Sequence, residues 1–95
     1  MERDKLQFII DTHGTKEQQD IAIEELAELQ KAILKHRRYE SKETEQAIID
    51  EIADVEIMLE QLKIIYSCHS DVERRIEYKI DREIKRIKKK YNIED

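Results

Sequence analysis

The sequence predicts an all-α fold, a four-helix module of one short and three longer helices arranged as an antiparallel bundle that oligomerisation completes. Three observations carry this reading. The 95 residues contain no proline and one glycine, too few turn residues for an all-β domain. Charged residues make up 43% of the chain, against about a quarter in an ordinary protein. Those charges are mixed in sign and interleaved with Ile and Leu at helical spacing, the pattern of long amphipathic helices rather than of disorder. Residues 1–95 are read as a single domain. A chain this short buries limited apolar surface, and Cys68 is its only cysteine, so no internal disulfide staples it. A second copy is the expected source of the missing core.

The elements follow in order. Residues 3–13 read as a short helix with Leu6, Ile9 and Ile10 as apolar contacts. Gly14 suits a left-handed position just past a helix end. Thr15-x-x-Gln18 has the form of a capping box, opening a second helix over about 16–38. Ser41 is the expected N-cap of a third helix over about 43–67. Ser70-x-x-Glu73 is a further capping box, opening a fourth helix over about 71–91. The connections are short, so neighbouring helices are expected to pack antiparallel.

Composition narrows the function classes. Net charge is −5, so nucleic acid is not the expected partner. The N-terminal MERDK is charged and no apolar run exceeds three residues. Neither a signal peptide nor a membrane span is expected, and the expected setting is the cytoplasm.

Two acidic pairs stand out. Glu25-x-x-Glu28 and Glu51-x-x-Asp54 are separated by residues 29–50. On a helical wheel, Ala22, Leu26, Leu29 and Ile33 form the second helix's apolar stripe, widened by Ile23, Ala27 and Leu34. Glu25 and Glu28 lie on its flank with Ile21 and Ala32. On the third helix Ala47, Val55, Met58, Leu62 and Ile65 form the stripe, and Glu51 and Asp54 fall inside it. Taking a carboxylate out of water costs several kcal/mol unless it is neutralised or paired. Two acids facing two more across an antiparallel pair repel unless a cation intervenes. All-oxygen ligands suit a hard divalent ion, Mg²⁺ or Mn²⁺. A ferritin-like di-iron centre needs Glu-x-x-His on two helices, and His13, His36 and His69 do not follow a Glu at that spacing.

The fourth helix is expected to bury Val72, Ile76, Ile80, Ile84, Ile87 and Tyr91. Arg75, Lys79, Arg82 and Arg86 run beside that face as a basic stripe, suited either to acids on neighbouring helices or to an anion held at the metal site. Lys35, His36, Arg37 and Arg38 close the second helix, where cations complement the dipole; a phosphate or lid role for them ranks behind that account.

E-E-L-A-E-L followed by D-E-I-A-D-V resembles the MazG-like nucleotide pyrophosphohydrolases of the all-α NTP pyrophosphatase superfamily. The family's Glu-x-x-Glu, spacer, Glu-x-x-Asp pattern is matched by Glu25, Glu28, Glu51 and Asp54. Gly14 with Gln18, and Lys79-x-x-Arg82, also resemble family segments. The resemblance implies Mg²⁺-dependent cleavage of a nucleoside triphosphate to the monophosphate and pyrophosphate. It implies that the four acids bind the metal and carry catalysis, that Lys79 and Arg82 contact phosphates, and that Gln18 contacts the nucleotide. It further implies a homodimer or homotetramer, for which Ile23, Leu34, Ile48, Ile52 and Leu59 offer apolar surface. The chain departs from the family in having no tryptophan and one phenylalanine, Phe8, so no base-stacking platform is evident. The main rival reading is a helical interaction or scaffold protein that keeps the fold without catalysis. A nucleic-acid-binding module using the basic stripe ranks behind it.

Overall fold

The computed structural model describes residues 1–94, and all its regular structure is helical. The helices are α1 (Arg3–His13), α2 (Thr15–Arg38), α3 (Lys42–Tyr66) and α4 (His69–Tyr91). Their number and order match the sequence reading. The caps do so only in part.

Gly14 separates α1 from α2 at φ 93 and ψ 149. The positive φ was expected, but ψ is extended, a region that essentially only glycine enters. The Thr15-x-x-Gln18 capping box does not form, because Thr15 already lies inside α2 and Gly14 takes the cap position. Ser41 caps α3 as expected. Its side chain accepts from the Thr44 N–H, and the Ser41 N–H donates to Thr44 Oγ1, both at 3.1 Å. Ser67 ends α3 in the left-handed conformation, at φ 50. The Ser70-x-x-Glu73 box is also absent, since α4 begins at His69 without a side-chain cap. His69 is tied back to α3 through Glu60, with Nε2 and Oε2 2.5 Å apart. That hydrogen bond holds the Glu60 carboxyl below its ordinary range, against the opposing effect of burial.

α2 and α3 form a long antiparallel pair, pinned near both ends. Gln19 Nε2 donates to the Tyr66 hydroxyl at 2.7 Å, and His36 Nδ1 meets Thr44 Oγ1 at 2.7 Å. α1 folds over one end of the pair, where Leu6, Ile10 and Ile64 are buried with Ile9 and Ile65 against them. Ala22, Val55 and Met58 complete the buried apolar set.

The facing positions recur about every 3.5 residues, the spacing of a coiled-coil seam. On α3 the seam runs through Thr44, Ile48, Glu51, Val55, Met58, Leu62 and Ile65, all buried or half-buried. Glu51, Val55, Met58, Leu62 and Ile65 belong to the predicted stripe, but Thr44 and Ile48 replace Ala47 and Asp54 in the seam, and Ile48, expected on a surface for a second copy, is half-buried within the chain. On α2 it runs through Gln18, Ala22, Glu25, Leu29, Ala32 and His36. The α2 seam is therefore rotated from the expected stripe toward the flank that carries Glu25. Ile23, Leu26, Ile33 and Leu34 are left exposed on the outside, as are Ile49, Ile52 and Leu59 on α3.

α4 departs furthest from expectation. It approaches α3 and no other helix, and none of its residues is fully buried. Ile76 is 48% exposed, Ile80 54% and Tyr91 62%, so beyond the half-buried Val72 the face expected to be buried is open. The radius of gyration is 17.2 Å, against about 12 Å for a compact chain of this size. Among the described residues no helix is long and apolar enough to cross a membrane.

Candidate metal centre

Glu25 enters the site because it occupies the α2 seam, and Glu51 because it occupies the α3 seam opposite. Asp54, one turn beyond Glu51, reaches the same point from the edge of α3. One carboxylate oxygen from each lies within 4.8 Å of the other two. Glu25 and Glu51 are half-buried and Asp54 is exposed. The expectation that Glu51 and Asp54 would both lie inside the buried stripe thus holds only for Glu51. The half-buried couple is Glu25 with Glu51, one acid from each helix. Glu28 is exposed one turn along α2 and lies outside the group of three. Its Oε1 is 3.9 Å from Lys31 Nζ.

The cluster is electrostatically uncompensated. The Glu25 carboxyl is raised from 4.5 to about 7, first by burial and then by hydrogen bonding and repulsion from Glu51 and Asp54. Glu51 Oε2 is buried without a hydrogen-bond partner. A buried oxygen left unpaired costs about 1–3 kcal/mol and more when charged, and a cation would satisfy it. Hexacoordinate Mg²⁺ bonds oxygen at about 2.1 Å, which spaces opposite ligands about 4.2 Å apart. Oxygens within 4.8 Å of one another fit that sphere after small side-chain rotations. The donor set is all carboxylate, the chemistry of a hard divalent ion.

Three residues expected at a substrate fare differently. Gln18 is 3% exposed in the α2 seam, about 10 Å along the helix from Glu25. It faces the interior, so its placement does not support direct contact with a nucleotide. Lys79 and Arg82 lie on α4, about 15 and 20 Å along its axis from His69, and α4 does not approach α2. Within one chain neither is brought beside the acids through α2. Arg82 instead lies over the Tyr78 ring, 5.6 Å from its centroid, and its buried Nε has no hydrogen-bond partner.

The structure also brings forward residues that the sequence reading ranked low. A groove of about 350 Å³ beside the acids is lined by Glu28, Glu51, Lys31, Lys35 and Arg38, with Ala32, Leu34 and Ala47 as its apolar part. The signal was present in the spacing of Lys31, Lys35 and Arg38 by four and three residues from one another, which puts them on one edge of α2.

Comparison with known proteins finds no matching family model, curated protein or solved structure.

Proposed function

We propose that the protein is a Mg²⁺-dependent nucleoside triphosphate pyrophosphohydrolase of the MazG-like kind, converting an NTP or dNTP to the monophosphate and pyrophosphate. The observation that carries this is the convergence of Glu25, Glu51 and Asp54 around a Glu51 oxygen that nothing else satisfies. Glu25, Glu51 and Asp54 would hold Mg²⁺ or Mn²⁺, with Glu28 beside them; the bound ion supplies Lewis-acid polarisation of phosphate oxygens. In the reaction water attacks the α-phosphorus, the bond from that phosphorus to the α–β bridging oxygen breaks, and pyrophosphate leaves. A carboxylate oxygen of the acid set takes up the water's proton. The seam holds Glu25 and Glu51 on two paired helices, so little reorganisation is needed as charge develops.

The reading includes a homodimer or homotetramer. α4 carries nine Lys or Arg and five Asp or Glu, a net +4 in a chain of −5, which leaves −9 on the remainder. Its open Ile face and basic stripe are complementary to the exposed apolar positions of α2 and α3 and to the acidic α3, which carries two Lys and seven Asp or Glu, whereas α2 has no net charge. In this arrangement Lys79 and Arg82 reach phosphates only in a neighbouring copy.

The open face of α4 also suits the scaffold reading, in which it docks a partner and the acids are idle. The two readings part on metal. A scaffold gains no stability from Mg²⁺ and becomes more stable when the half-buried Glu51 is made apolar. The enzyme reading is tested by incubating a panel of NTPs and dNTPs with Mg²⁺ and separating the products. Monophosphate with pyrophosphate supports it, whereas diphosphate with phosphate, or no turnover, contradicts it.

A further inference from the structure

We infer that Lys35 and Arg38, with Lys31 at their inner end, form a phosphate cradle supplied by the same chain that supplies the acids. The inference deepens the metal-site reading above and rests on it. The groove between α2 and the start of α3 has Glu28 and Glu51 at one end and Lys31, Lys35 and Arg38 along the α2 edge. Side chains on a helix lean toward its N-terminus. On α2 that direction runs from Arg38 back toward Glu28 and Glu25, so all three cations lean toward the acids. Lys31 shows the lean directly, with Nζ 3.9 Å from Glu28 Oε1.

The helix dipole explains why cations gather at the end of α2, but not how they divide. His36 turns inward to Thr44 and Arg37 is exposed outside the groove. Lys35 and Arg38 line it, and among the described residues neither has a carboxylate within 4.0 Å. Ala32 and Ala47 leave the groove open where larger residues would fill it. A phosphate chain with one end at Glu25, Glu51 and Asp54 extends along this edge, where Arg offers a planar fork and Lys a point charge to its oxygens. These cations stand beside the acids without help from a second copy, unlike Lys79 and Arg82.

The test uses inorganic pyrophosphate with Mg²⁺ as the probe, titrated calorimetrically into wild type, Lys35→Ala/Arg38→Ala and Lys79→Ala/Arg82→Ala. Stabilisation by Mg²⁺ alone is followed in parallel by thermal unfolding. The expected result is a loss of about tenfold or more in pyrophosphate affinity in Lys35→Ala/Arg38→Ala, with helicity and Mg²⁺ stabilisation unchanged and Lys35→Arg retaining binding. Unchanged affinity in that variant, a loss confined to Lys79→Ala/Arg82→Ala, or no pyrophosphate binding by wild type would overturn the cradle. If pyrophosphate binding depends on Lys35 and Arg38 while Mg²⁺ stabilises nothing, the cradle stands and the metal reading falls.

Discussion

Glu25 and Glu51 face each other across the α2–α3 seam, with carboxylate oxygens no more than 4.8 Å apart. Each occupies a position that an apolar residue would fill in an ordinary helix pair. Burial, and then the neighbouring Glu51 and Asp54, together raise Glu25 to about 7. The pair interrupts the core midway between the Gln19–Tyr66 and His36–Thr44 ties, so the backbone on either side is fixed while the acids remain in conflict.

That conflict sets a pH dependence. From 4.5 to about 7 the folded protein keeps a proton on Glu25 that the unfolded chain has lost. The unfolded state then binds fewer protons, so this group lowers stability as pH rises across the window, with no further change above it. Thermal unfolding in chelator from pH 4 to 8 should show Glu25→Gln less sensitive across the window and about 3–6 °C more stable at the upper end. An equal slope in both proteins would contradict the assignment.

Divalent cation should reverse the penalty. Binding requires ionised carboxylates, so Mg²⁺ stabilisation of wild type should grow from pH 6 to pH 8. At a hundred times the dissociation constant it should reach about 2.7 kcal/mol. Glu51→Gln should abolish most of it, because Glu51 contributes the orphaned oxygen. A thermal shift of equal size in that variant would place the ion elsewhere.

Thr44 anchors the far end of the seam. Its hydroxyl meets His36 Nδ1 at 2.7 Å and donates to the Tyr39 carbonyl at 2.9 Å, and its side chain completes the Ser41 capping box. Thr44→Val keeps the shape and removes these bonds, so it should cost about 1–2 kcal/mol in denaturant unfolding. A neutral result would mean that water replaces the hydroxyl at no cost.

The exposed face of α4 should close against a second copy. Ile80→Glu places a charge in the middle of that face, where Ile80 is 54% exposed in one chain. Sedimentation should show wild type as a dimer or tetramer and the variant shifted to monomer, with lower thermal stability. A monomeric wild type would contradict the assembly and turn attention to a different partner for α4.

Much of the fold was legible because helical periodicity is a local property. The four helices, the Ser41 cap and the α3 seam through Val55, Met58, Leu62 and Ile65 all follow from spacing. The α2 seam was less legible. Leu26 and Ile33 are as apolar as any core residue, yet they are exposed, while Glu25 faces α3. A wheel marks which positions are apolar, not which partner they meet, so a face awaiting another surface looks the same as one packed within the chain. The same ambiguity hid the departure of α4. Both expected capping boxes, at Thr15 and Ser70, failed because each helix starts at or before its proposed cap, while Ser41, expected only as an N-cap, forms a box with Thr44. At the site, the pairing of Glu25 with Glu51 needed the antiparallel register, which no single-helix pattern contains. Lys35 and Arg38 were credited to the helix dipole because the groove they line exists only once α3 is in place.

The most direct test of the central claim is pyrophosphate release from nucleoside triphosphates by wild type and Glu51→Gln at pH 8 with Mg²⁺. The account predicts turnover by wild type on at least one NTP or dNTP, lost on chelation and reduced at least about a hundredfold in Glu51→Gln. No pyrophosphate from any nucleotide, or equal turnover by the two proteins, would contradict it.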